Sequence, residues 1–240
     1  MAHSPGTMTG TTALVTGASR GIGRSVVRRL SRDGVRVWAA ARSRNLLEEL
    51  ARESGAEPLP MDVRDEASVW DAADRLADTL GGPPDIVVNN AGIFHIAPLA
   101  QETVRGFDEM MAVNLRGAFL VVRAFLPGML ARGSGTIVNV GSVSGRKAYP
   151  GNGAYSASKY GLRGLHEVLV EEVRGTGVRA TLVEPAATNT PLWDPLDPDS
   201  DPRLPSREAM LSPEHVADAV AYIASRPPEV SIPVLQIERG

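Results

Sequence analysis

Cysteine is absent from this chain of 240 residues, which excludes disulfides, thiolate nucleophiles and cysteine-ligated zinc. Histidine is sparse: His3, His95, His166 and His215 are scattered without the spacing that gathers ligands around an ion, so no metal site is expected. Positive charge is not in surplus either. Lys and Arg number 25 against 28 Asp and Glu, a formal net charge of −3, and no basic stripe offers itself to a nucleic-acid backbone. The opening stretch "MAHSPGTMTG" lacks the basic and apolar regions of a secretory leader, and no apolar run reaches the roughly 20 residues that span a bilayer. The expectation is a soluble cytoplasmic protein with neither nucleic-acid nor membrane partners.

What remains is an ordinary globular composition, 43% hydrophobic and 22% charged, in a chain long enough to bury a substantial core. Short apolar runs at 11–17, 35–41, 57–62, 85–92, 135–142, 178–185 and 232–238 read as strands. Amphipathic runs at 22–32, 43–54, 65–80, 102–131, 152–175 and 213–225 read as helices. Several strands are apolar on both alternations, as in a parallel sheet covered on both faces. The rhythm predicts one α/β domain over 11–240, a doubly wound parallel sheet of Rossmann type with about seven strands and helices on both faces, behind a flexible tail at 1–10. One segment breaks the rhythm. The Pro- and Asp-rich stretch 188–211 follows a strand's carboxyl end and reads as a lid over a substrate, with its acidic set Asp194, Asp197, Asp199 and Asp201 solvated.

The turn "TGASRGIG" (16–23) directly follows the first strand and opens a helix. Gly17 allows a tight turn, Gly21 and Gly23 allow close approach, and the N–H groups around Ser19, Arg20 and Ile22 suit a pyrophosphate. At the end of the second strand, Ala41 stands where an acid would bind the ribose hydroxyls of NAD, and Arg42 follows. A guanidinium attracts the 2′-phosphate that an acid would repel, and Arg20 offers a second cation, so NADP(H) is favoured over NAD(H). Further along, "AYSASKYG" (154–161) sets Tyr155 and Lys159 one helical turn apart, on one face, with only small residues between them.

"TGASRGIG", "NNAG" (89–92), "MAVNLRGAF" (111–119), Ser142 and "YSASK" (155–159) together resemble the short-chain dehydrogenase/reductase family, in its compact branch of about 250 residues, over 11 to about 190. The resemblance implies an NAD(P)-dependent oxidoreductase with a site made of Asn114, Ser142, Tyr155 and Lys159. Tyr155 is then the general acid or base. Lys159 lowers its pKa and bonds the nicotinamide ribose, Ser142 holds the substrate oxygen, and Asn114 helps hold a water leading to Lys159. The resemblance also assigns Asp62 and Val63 to the adenine, and Asn89 to the sheet beneath the cofactor. Ala91 and Gly92 go to the adenosine and ribose, and Pro185, Thr188 and Thr190 to the carboxamide end. The chain departs from the family pattern at Ala186, where glycine is usual, and in its ending "SIPVLQIERG".

Pocket candidates by position are Phe94, His95 and Ile96, then Ser144, Gly145 and Tyr149, then Leu192 and Trp193. They suit a small or medium carbonyl compound or alcohol. The helices at 102–131 and 152–175 resemble the family's dimer-forming pair, which implies a homodimer or homotetramer. The expected activity is NADPH-dependent reduction of a ketone to a secondary alcohol, or the reverse. The alternatives are a 3-oxoacyl-thioester reductase, for which no basic docking patch is evident, and a non-catalytic NADP-sensing regulator, which would not need a proton donor.

Overall fold

A computed structural model describes residues 8–240. Seven strands form one parallel sheet in the order β3-β2-β1-β4-β5-β6-β7. They are β1 (Thr12–Thr16), β2 (Arg36–Ala41), β3 (Glu57–Pro60), β4 (Ile86–Asn89), β5 (Gly135–Val140), β6 (Val178–Pro185) and β7 (Val234–Ile237). The helices are α1 (Gly21–Arg32), α2 (Arg44–Ser54), α3 (Glu66–Leu80), α4 (Val104–Met111), α5 (Ala118–Arg132), α6 (Gly153–Glu172) and α7 (Pro213–Ala224).

The period of two along each strand divides the core. Ala13, Val15, Val37 and Ala39 point to one face, where Val26, Leu30, Leu47, Leu50, Val216 and Val220 of α1, α2 and α7 cover them. Leu14, Trp38 and Ala40 point to the other, under Val69, Leu76, Leu120, Phe125 and Leu169 of α3, α5 and α6. Both faces are thus dry, which is why these strands show unbroken apolar runs. The run Val104–Arg132 has the length and mean hydropathy (1.4) of a membrane-crossing helix, yet Leu120, Val121, Phe125 and Met129 are buried against the sheet.

Strand order reverses between β1 and β4, so their following loops part and leave a crevice at the carboxyl edge. Two expectations shift. Of the predicted tail, residues 1–7 lie outside the described residues. Met8 is not tail but core: it is buried, and its carbonyl accepts from Thr11 N–H. The predicted helix 102–131 is interrupted by a π turn at Ala112–Gly117, and such wide turns often mark functional positions.

Candidate active site

A single cleft of about 1780 Å³ runs along the carboxyl edge of the sheet. At one end lies the glycine turn. Gly17 adopts φ +64°, and a Cβ there would stand 2.7 Å from Ala91 Cα; at Gly23 it would stand 2.4 Å from both Asn90 Nδ2 and Gly17 O. Only glycine lets the β1 and β4 loops close on each other this tightly. Asn90 ties them, donating to Thr16 O at 2.9 Å and Gly17 O at 3.3 Å. The predicted Gly17, Ser19, Arg20, Gly21, Ile22, Ala41, Arg42, Asp62, Val63, Ala91 and Gly92 all line this end. Gly23 sits beneath the turn rather than on the wall.

Arg64 salt-bridges Asp62 at 2.7 Å, and its hydrogen bonds hold the Asp62 carboxyl below the usual range. Arg20 and Arg42 also line this end, and among the described residues neither forms a salt bridge, although the Arg42 charge acts on the Asp62 carboxyl. These donors, the open helix start at Gly21 and the glycine-lined approach fit a dinucleotide.

The other end gathers Ser142, Tyr155 and Lys159. Ser142, just past β5, is buried and its Oγ accepts from Ser144 N–H at 3.1 Å. The following turn presses onto α6 because Gly145 has no side chain; a Cβ would sit 2.9 Å from Lys159 O. Tyr155 and Lys159 share the inner face of α6. Lys159 is buried, donates to Val140 O at 2.9 Å, and places Nζ 5.8 Å from the Tyr155 ring centroid. Burial pushes this ammonium down to about 8, so it remains largely charged at neutral pH.

The phenol departs from expectation. Burial raises the Tyr155 pKa, and only the Ser142 hydroxyl opposes it. In the protein alone desolvation wins and Lys159 is not among the groups that lower the value, so Tyr155 is held protonated. Asn114 departs too. Its amide accepts from Ile93 N–H at 2.8 Å and donates to Ile93 O at 3.0 Å and Ser158 Oγ at 3.1 Å. Both amide hydrogens are spent on protein, so a water there would need the backbone opened by the π turn rather than the Asn114 side-chain donors.

Three further predicted residues do not line the cleft: Asn89, His95 and Gly145, the last packed against α6. Asn89 is buried in the sheet, donating to Asn139 Oδ1 at 2.9 Å. Asn139 Nδ2 lies 3.1 Å from His166 Nδ1, and His166 Nε2 lies 2.9 Å from Pro233 O. His95 turns away to Glu102, 2.8 Å from Oε2, and its neighbours Phe94 and Ile96 form the wall instead. Phe94 packs edge-on against Tyr155 (centroids 4.7 Å apart) and Trp193 (5.1 Å), joining the catalytic helix to segment 188–211.

Leu192, Trp193, Leu196 and Leu204 of that segment line this end of the cleft. Its acidic side chains are not merely solvated: Asp194 pairs with Arg207 at 2.7 Å and Asp201 with Arg203 at 2.7 Å. Pro185, Thr188 and Thr190 line the middle of the cleft. Ala186 fits without strain, because among the described residues only Asp197 is a non-glycine at positive φ. Sequence reasoning passed over Asn90, although it stands inside the quoted "NNAG". It also passed over Asn152, Arg146, Glu238 and Arg239, which line the substrate end and which no motif marks.

The family model for short chain dehydrogenase matches residues 11–201. A D-threitol dehydrogenase from Mycolicibacterium smegmatis is 35% identical over 225 residues, covering 90% of this chain and 86% of that protein. A stretch of the glycine betaine reductase ATRR of Emericella nidulans is 34% identical over 241 residues; the match takes in 97% of this chain but only 19% of that far longer protein. Among solved structures, a metagenomic short-chain oxidoreductase in complex with NADP superposes with a TM-score of 0.84 at 31% identity, over 98% of this chain and 99% of the other. The chain belongs to the short-chain dehydrogenase family, oxidoreductases that use a nicotinamide cofactor.

Proposed function

We propose that this protein is an NADPH-dependent carbonyl reductase, interconverting a ketone and a secondary alcohol with Tyr155 as general acid or base. The observation that carries the reading is Tyr155 beside Ser142 and the buried Lys159 ammonium, on the wall of a cleft whose far end is a glycine cradle. When bound, a reduced nicotinamide supplies the hydride; Gly17, Ser19, Ile22, Arg20 and Arg42 would hold the dinucleotide's phosphates, with Pro185, Thr188 and Lys159 nearer its reactive end.

The protein's own share is proton handling. Ser142 Oγ donates a hydrogen bond to the substrate oxygen and fixes it against the phenol. Tyr155 then gives its proton to that oxygen, and the phenolate left behind is stabilised by Lys159. A phenol raised by burial begins a reduction fully protonated, which favours the donor role, and the cation lowers the cost of the charge as it forms. In alcohol oxidation the proton moves back to Tyr155. Phe94, Ile96, Leu192 and Trp193 exclude water around the reacting carbon.

The exposed Phe119, Tyr160 and Val168 on α5 and α6 support a homodimer through these helices. The test is a fluorescence titration with NADPH and NADH, followed by a panel of carbonyl compounds read at the NADPH absorbance band. Tighter binding of NADPH and consumption on ketones are expected. Equal affinity for both dinucleotides would remove the phosphate assignment, and binding without turnover across the panel would favour the sensing alternative.

A further inference from the structure

Asn152 is the residue that precedes α6, the position where an asparagine ordinarily accepts a hydrogen bond from the helix's first free N–H groups. Here it does not: its side chain makes no capping bond, although the helix it heads runs for 20 residues. The residue is instead buried, and it lines the cleft three positions before Tyr155. Its amide lies at a long 3.5 Å from Ser144 Oγ, at the edge of hydrogen-bonding distance. Ser144 is also buried and lines the cleft. The Ser144 hydroxyl thus has only this weak partner among the described residues, and the other polar atom of the Asn152 amide has none.

Polar groups this poorly matched, on a cleft wall and not sealed in the core, are free for a ligand to complete. Their position says what would. Ser144 N–H is bonded to Ser142 Oγ, so the Ser144–Asn152 pair lies one short step from the group that holds the reacting oxygen. Whichever way round the amide sits, the pair offers donors and acceptors together and carries no charge. That suits a neutral hydroxyl, which both gives and accepts a hydrogen bond, and suits a carboxylate poorly. The cleft lining around the pair is apolar at Phe94, Trp193 and Ile96, the last next to Ala97, which bridges to Asn152.

Resting on the carbonyl-reductase reading above, we infer that Asn152 and Ser144 bind a hydroxyl on the carbon next to the reacting carbonyl. The substrate class is then an α-hydroxyketone in reduction, or a vicinal diol in oxidation, with an apolar remainder. Asn152 is a specificity-determining residue.

The test uses shape-matched pairs that differ in one group: hydroxyacetone against 2-butanone, and 2-hydroxyacetophenone against propiophenone. The wild-type enzyme should prefer the hydroxyketone in kcat/KM by about tenfold or more, because a site built around a hydroxyl discriminates strongly against its absence. In Asn152→Ala and in Ser144→Ala that ratio should fall to within about threefold. Because Asn152 caps nothing, Asn152→Ala should also shift Tm by less than about 2 °C, whereas loss of a working cap of about 1 kcal/mol moves a domain of this size by about 2–4 °C. Turnover of both pair members at equal kcat/KM would overturn the hydroxyl site while leaving the carbonyl-reductase reading standing. A fall in Tm in Asn152→Ala with the ratio intact would make Asn152 structural and overturn it too. NADPH binding with turnover of neither member would remove both readings together.

Discussion

The two ends of the cleft are built by different means. At the dinucleotide end the walls are mostly backbone: Gly17 and Gly23 let two loops touch, Asn90 clips them, and the helix start supplies its N–H groups. At the other end the walls are side chains from five separate segments: the turn after β5, the start of α6, the loop after β4, the 188–211 stretch and the residues after β7. A backbone site tolerates almost no added atoms and recognises what its ligand shares with others. A side-chain site can be rebuilt one residue at a time, and that is where we propose substrate choice resides.

The sharpest way to break this contrast is Gly23→Ala. The new methyl would fall 2.4 Å from Gly17 O, a backbone atom that cannot swing aside. NADPH affinity should drop by about 100-fold or more, or the fold should be lost outright; isothermal titration with a parallel circular-dichroism melt checks both. A near-normal affinity would show that the cradle is softer than its geometry.

Arg42→Ala probes a charged side chain of the dinucleotide end. Losing a charge-assisted contact of about 1.5–3 kcal/mol should weaken NADPH by about 10- to 100-fold and leave NADH nearly unchanged, read by competitive fluorescence titration.

At the substrate end, Lys159 sets a pH limit. With its ammonium pushed down to about 8, kcat/KM for ketone reduction should fall on an alkaline limb with an apparent pKa near 8 as the cation that stabilises the phenolate is lost. A flat profile to pH 9.5 would mean that Lys159 stays charged or does not matter.

The smallest expected effect lies outside the cleft. His166 is buried and neutral: Nε2–H donates to Pro233 O, Nδ1 accepts from Asn139, and Glu167 and Arg163 are the charges nearby. Burial lowers its pKa, so below about 6.5 the unfolded chain takes up the proton first. Stability is full above that value and declines as pH falls toward and through the folded pKa. The wild-type Tm should decrease from pH 7 to pH 5, and His166→Phe should flatten that slope.

The same contrast explains what could be read from the chain. The strands, the helices and the glycine turn were legible because backbone geometry writes itself into local pattern: apolar runs on both alternations, and glycine where a Cβ would collide. Tyr155 and Lys159 were legible because one helical turn joins them. Asn152 and Arg146 were not, since each matters only through partners brought from elsewhere. Arg146 reaches Glu184 on β6 and Glu238 beyond β7, residues that no local spacing relates. His95 shows the reverse error. Adjacency to Phe94 suggested the cleft, but the Glu102 carboxylate, seven residues on, draws its ring away. The raised Tyr155 pKa was hidden for a related reason, because burial is a property of the packed cleft and not of the four-residue interval.

Turnover of NADPH-saturated Tyr155→Phe against wild type shows whether Tyr155 delivers the proton. If it does, kcat should fall by about 10²- to 10⁴-fold with the NADPH dissociation constant within about twofold of wild type. Retention of more than about a tenth of the wild-type kcat in the saturated variant would contradict it.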